Sequence, residues 1–261
     1  MHERLVVNQV SLPAADPLAR AIERLLAAGV TRMGVNADKL AAAGWEDGIA
    51  QLERAGMRVP YLIHRTAFRL ADPSGREGER ARARRTVDAA AALAAPVVYM
   101  TTGPAGPLTW EDAAERFVEA VAPVAEHAAA AGVRLAVETT NPQFADVDIL
   151  HTLAASLELA ERAGLDLCLD VHATWTEPRL AELIARAGER IALVQVSDYV
   201  PGTRTLSRAV PGDGVIPIER ILGAVHATGY AGPIDLELFG ERDEDPVAAI
   251  RRGLAYLEAL L

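Results

Sequence analysis

Leu135-Ala136-Val137-Glu138-Thr139-Thr140-Asn141-Pro142, then a helical run over 147–163 closed by Gly164, then Leu167-Cys168-Leu169-Asp170-Val171-His172: this stretch sets the fold. A short β-rich run ends in a carboxylate, a longer run of helical period follows, and a second β-rich run again ends in a carboxylate. The same unit recurs in both directions. Strands are expected near Val6–Val10, Arg32–Asn36, Val59–His64, Val97–Thr101, Leu135–Glu138, Leu167–Asp170, Leu193–Ser197 and Ile234–Leu238. Helices are expected near 16–28, 46–55, 78–94, 111–131, 147–163, 178–187, 217–228 and 246–260, most of them ending at a glycine such as Gly29, Gly56, Gly132 or Gly229. Strict βα alternation implies a parallel sheet, and eight such units without a linker close into a single (β/α)8 (TIM) barrel domain over residues 1–261. An open doubly wound sheet would call for a glycine-rich phosphate turn after the first strand, and Gln9-Val10-Ser11-Leu12-Pro13 is not one.

Composition narrows the setting. Hydrophobic residues make up 51% of the 261, enough for a large core, yet no apolar run reaches the roughly 20 residues of a membrane span. The first twelve residues, with His2, Glu3, Arg4 and Asn8, lack the apolar run of a secretory signal, and the single Cys168 reads as a buried thiol. A cytoplasmic protein is expected. With 26 basic against 36 acidic residues the net charge is −10, which opposes binding to nucleic acid. Arg80, Arg82, Arg84 and Arg85 read as the solvated face of a helix. Lys39 is the only lysine and lies in a helix-starting segment, so Schiff-base chemistry is set aside.

In a barrel of this kind the C-terminal strand ends face the active site. Here the last four strands end in Glu138, Asp170, Gln195 and Glu237. A carboxylate inside a β-run needs a partner to offset its lost hydration, and three of them converging on one point repel unless a cation lies between them. Three carboxylates and an amide oxygen are hard donors, so one divalent Mn2+ or Mg2+ is the expected cofactor.

With those residues in place, the chain resembles the xylose isomerase-like barrels that include sugar-phosphate isomerases, epimerases and ketose 3-epimerases. The resemblance spans the whole chain. It is carried by Val137-Glu138, Leu169-Asp170-Val171-His172, Val194-Gln195-Val196-Ser197-Asp198, Arg208-Ala209-Val210-Pro211-Gly212-Asp213-Gly214 and Leu236-Glu237. It implies metal ligation by Glu138, Asp170, Gln195 and Glu237, and substrate binding by Arg208. Two positions depart from the family pattern. Gln195 stands where that family has histidine, and His172 follows the aspartate by two residues rather than three. If the strand persists, residues two apart share a face and His172 enters the site.

The chemistry this suggests is proton removal next to a carbonyl, with Glu138 and Glu237 as the acid–base pair. His172, His64 and Trp175 are further substrate-contact candidates, and Arg65 and Arg204 are cations expected near the mouth. The segment Phe68–Glu79 is long for a βα loop and is read as a lid. The expected partner is a small carbohydrate, with no nucleic acid and no membrane; self-association or a smaller partner subunit is left open. Two other functions compete. One is a metal-dependent lyase that cleaves 3-oxo-glycosides by elimination, as some relatives of the family do. The other is a non-catalytic barrel subunit, which the three acids argue against. DNA repair on the same barrel would call for more histidines at the strand ends and less negative charge.

Overall fold

The computed structural model describes residues 1–65, 68–203, 205, 207–240 and 244–261. The strands are β1 (Leu5–Asn8), β2 (Met33–Asn36), β3 (Tyr61–His64), β4 (Val97–Met100), β5 (Arg134–Glu138), β6 (Asp166–Asp170), β7 (Ile191–Val196) and β8 (Ile234–Leu236). They pair in chain order and all in parallel, and β1 pairs with β8 through Leu5↔Ile234 and Val7↔Leu236 to close the barrel. The helices are α1 (Leu18–Ala27), α2 (Ala37–Ala43), α3 (Trp45–Arg54), α4 (Arg76–Ala92), α5 (Trp110–Ala130), α6 (Leu153–Ala163), α7 (Val171–Thr174), α8 (Leu180–Ala187), α9 (Ile218–Ala227) and α10 (Pro246–Glu258). Among the described residues no helix is long and apolar enough to cross a membrane.

The period of two along each strand divides the core into two layers. Leu135 and Val137 of β5, Leu167 and Leu169 of β6 and Val194 and Val196 of β7 pack outward under the helices. Their alternates Ala136, Cys168 and Leu193 point inward, where they meet Val6, Tyr61, Ile63, Val97 and Tyr99 and fill the barrel axis. One residue further along each strand's inward face stand Asn8, Glu138, Asp170 and Gln195. The same alternation that packs the floor therefore delivers the polar groups at the mouth. Tyr61 owes its place to Gly34: a Cβ there would lie 1.9 Å from the Tyr61 ring.

Four boundaries differ from the sequence expectation, and local side-chain capping explains each. β1 stops at Asn8 because its side chain accepts from Val10 N and starts a turn over Gln9–Ser11. Asn36 does the same for Asp38 N and opens the unforeseen helix α2. α6 starts at Leu153 rather than 147, capped by Thr152 on Ala155 N. β6 stops at Asp170, whose carboxylate accepts from His172 N and turns the chain into α7. The 68–79 segment is no lid: Phe68 and Leu70 are buried in the core, Phe68 packs edge-on against Phe117 at 5.9 Å, and α4 already begins at Arg76.

Candidate active site

Glu138, Asp170 and Glu237 each offer a carboxylate oxygen, and these atoms lie within 4.8 Å of one another. Their surroundings differ. Asp170 is fully buried and receives a two-pronged Arg208 fork, Nη1 to Oδ1 at 3.0 Å and Nη2 to Oδ2 at 2.8 Å. Glu237 lies 3.5 Å from the same guanidinium through Oε2, while its Oε1 accepts from Gln195 Nε2 at 3.0 Å and Asn8 Nδ2 at 3.2 Å. Glu138 makes no hydrogen bond among the described residues. A buried carboxylate without a donor is the group for which an added cation gains most.

Electrostatics follow from that arrangement. Burial, then the neighbouring Glu237 and Asp170, push the Glu138 carboxyl well above the usual carboxylate range, against a downward pull from Arg208. Burial pushes Glu237 up to about 7, and Arg208 again opposes it. Three oxygen donors of one charge sign, drawn together and short of positive charge, suit a hard divalent cation. The residues present therefore fit such an ion.

Arg208 is placed by a loop that Asp198 organises. Asp198 Oδ2 accepts from Gly212 N and Gly214 N, both at 3.0 Å, and Oδ1 accepts from Ile216 N at 2.9 Å. Asp198 and Ala209 also exchange backbone bonds at 2.9 Å in each direction. Gly214 must be glycine, since a Cβ would come within 2.3 Å of Asp198 Oδ1. The Pro211-Gly212-Asp213-Gly214 segment is thus wrapped around a buried carboxylate, and it hands Arg208 into the barrel.

Gln195 is at the site with its amide nitrogen facing Glu237 and the Tyr99 hydroxyl at 3.1 Å. Its carbonyl faces the other way and accepts from the Cys168 thiol at 3.1 Å. Burial pushes that thiol's pKa well up, which keeps it a donor. His64 closes β3 and lines a cavity of about 130 Å3 together with Tyr99, Glu138, Arg208 and Glu237. Its Nδ1 lies 2.9 Å from Thr86 Oγ1. His172 is carried away from strand geometry into α7; its Nδ1 lies 3.2 Å from Asn141 Nδ2, and burial lowers its pKa to about 4. Trp175 borders neither this cavity nor its larger neighbour, packing instead against Tyr199 with ring centroids 6.2 Å apart. Arg65 lines the cavity, whereas Arg204 lies outside the described residues.

Two buried acids escaped the sequence reading. Asp235, two residues before Glu237 on the same inward face, accepts from Asn8 Nδ2 at 3.0 Å and is pushed well above its usual range by burial and then by Glu237. The alternation Ile234-Asp235-Leu236-Glu237-Leu238 already carries that signal. Asp148 had no comparable signal, because it follows β5 in a loop. Its Oδ1 gathers Thr102 Oγ1 at 2.5 Å and Ile149 N at 2.8 Å, and burial raises it to about 7.

Fold and site together define an acid-mouthed parallel (β/α)8 barrel, with its polar residues gathered at the C-terminal ends of the strands. Residues 19–260 match the family model described as the xylose isomerase-like TIM barrel, and the chain belongs to that family. A solved protein of Sinorhizobium meliloti 1021, SMc04130, shares 30% identity over 99% of this chain and 98% of its own, with a TM-score of 0.89. D-psicose 3-epimerase of Clostridium cellulolyticum H10 has the same fold at 18% identity, with a TM-score of 0.81 over 98% of each chain. Among curated proteins, L-ribulose-5-phosphate 3-epimerase UlaE of Escherichia coli O157:H7 is 29% identical over 150 residues, or 55% of this chain. That match spans 50% of UlaE, so the chain aligns with about half the length of its curated relatives.

Proposed function

We propose that this protein is a sugar or sugar-derivative isomerase/epimerase that moves a proton on a carbon next to a carbonyl. The observation that carries the reading is the convergence of Glu138, Asp170 and Glu237 within 4.8 Å, with Glu138 lacking any hydrogen-bond donor. Relatives named as sugar epimerases support it.

Glu138 and Glu237 take the proton-transfer roles. They arrive from β5 and β8, well apart around the barrel, and can address a carbon held between them from two sides. A general acid–base group works best with a pKa near the working pH, and Glu237 at about 7 meets that condition. Asp170, with both oxygens on Arg208, keeps the guanidinium at the lip of the cavity. There the guanidinium can orient substrate oxygens. One divalent ion, Mn2+ or Mg2+, held by Glu138, Asp170 and Glu237, would offset the charge developing on the carbonyl and adjacent hydroxyl oxygens. Gln195 joins that set only if its amide turns over, exchanging the Glu237 and Cys168 contacts of its two ends.

The test pairs elemental analysis of the purified protein with turnover of a ketose panel, on wild type, Glu138→Gln and Glu237→Gln. Stoichiometric metal and rearranged sugar in wild type, with turnover lost in both variants, support the reading. Folded, metal-loaded variants with near-normal turnover would sink it. Elimination from a 3-oxo-glycoside is the second reading, favoured by Gln195 at the strand-seven position; a freed aglycone in place of a rearranged sugar is its signature.

A further inference from the structure

Beside the acid-lined cavity lies a much larger chamber, of about 760 Å3 against about 130 Å3. The two share Val10, Arg65 and Phe239 in their walls, so they form one continuous hollow over the mouth. The larger part falls in the usual size range of small-molecule sites, roughly 300–1,000 Å3, whereas the smaller is too small for a whole substrate. Its wall is mainly apolar, with Val10, Leu12, Pro13, Ala14 and Phe239 contributing.

Charges bordering the chamber are mostly engaged elsewhere. Asp16 pairs with Arg24 at 2.7 Å, Glu244 pairs with Arg252 at 2.8 Å, and Lys39 Nζ donates to Asp16 O at 2.8 Å and to Ala14 O. Arg65, at the junction, is the one bordering cation with no ion pair among the described residues. Gln9 borders the chamber but not the acid cavity. It is 5% exposed; its Oε1 accepts from Asn36 N at 2.9 Å, and its Nε2 has no partner among the described residues. A buried amide left half satisfied on the wall of an open volume costs free energy that a small shift toward an uncharged acceptor recovers.

Resting on the isomerase/epimerase reading, we infer that the substrate has two parts: a sugar ring placed over Glu138 and Glu237, and an uncharged, largely apolar aglycone seated in the chamber between β1, β2 and β8. A phosphate would find a single free cation there, too little for a dianion. An apolar group finds a dry wall, and Gln9 can serve one oxygen of it.

The experiment is equilibrium titration of the full-length protein with methyl and phenyl D-glucopyranosides, each as both anomers, and with D-ribulose and D-ribulose 5-phosphate. Phenyl glucoside should bind about tenfold or more tightly than methyl glucoside, the effect of burying a few extra CH groups. Ala14→Trp should erase that advantage and leave the methyl glucoside unchanged, because Ala14 is exposed and only its backbone carbonyl serves Lys39. Pro13→Tyr, also at an exposed position, repeats the blockade should the first variant fold poorly. Equal affinity for the two glucosides, no binding of either, or a phosphate preference of about tenfold would overturn the inference. Failure of the parent reading shows separately, as unchanged ketose turnover in Glu138→Gln and Glu237→Gln.

Discussion

On one side of the barrel mouth β5 to β8 deliver Glu138, Asp170, Gln195 and Glu237; on the other, β1 and β2 deliver Asn8, Gln9 and Asn36, all uncharged. The first side is tightly bonded, with Arg208 forked onto Asp170 and Gln195 and Asn8 converging on Glu237. The second opens into the large chamber and leaves Gln9 Nε2 without a partner. Burying like charges together is tolerated only where they act, whereas amides and apolar groups shape a space without titrating. Chemistry and recognition are thus separated around the ring.

The separation can be broken by substitution. Glu138→Gln and Glu237→Gln should each lower turnover by about 10^3, the usual scale of acid–base catalysis, while Gln9→Ala changes it less than about tenfold. Comparable losses at Gln9 and at the acids would erase the contrast. Arg208→Met strands a buried Asp170 and should lower unfolding stability by about 3–5 kcal/mol in urea titrations. Saturating Mn2+ should return part of that loss, since a second cation then faces the carboxylates. No recovery would argue against ion binding by this cluster.

Asp148 gives a pH test at the boundary of the two sides. Its carboxyl is raised to about 7 by burial, above the unfolded value of about 3.9. The folded state therefore binds the proton more tightly. The resulting stability is fully present below about pH 4 and is lost as pH climbs to about 7, with an upper size of about 4 kcal/mol. Asp148→Asn should flatten the change in melting temperature between pH 5 and 8; an unaltered slope would show that another group sets it. Smallest of all, Trp175→Phe should shift KM less than about twofold, because Trp175 packs on Tyr199 away from both hollows. A tenfold rise would return it to the substrate.

The acidic side was legible in the sequence because carboxylates within β-runs are conspicuous, and period-two alternation then fixes where they point. Asp235 obeys the same rule and was missed only because Glu237 drew the eye. The neutral side was not legible: Val10, Phe239 and Tyr99 have the character of ordinary core, and a hollow has no residue signature. His172 shows a third limit. Its direction depended on whether β6 continued past Asp170, and that was settled by Asp170 capping His172 N at 2.8 Å. A side chain that could continue a strand or start a helix decides where its neighbours go, and periodicity alone does not record that choice.

The fork of Arg208 on Asp170 bears on how the molecule comes to exist. A cluster of inward acids with no resident positive charge would resist closure until an ion arrived, tying folding to the supply of a scarce metal. With a guanidinium built into the chain 38 residues downstream, the last strands can close around their own counter-ion as synthesis ends. Maturation can then occur at leisure, on a barrel already finished.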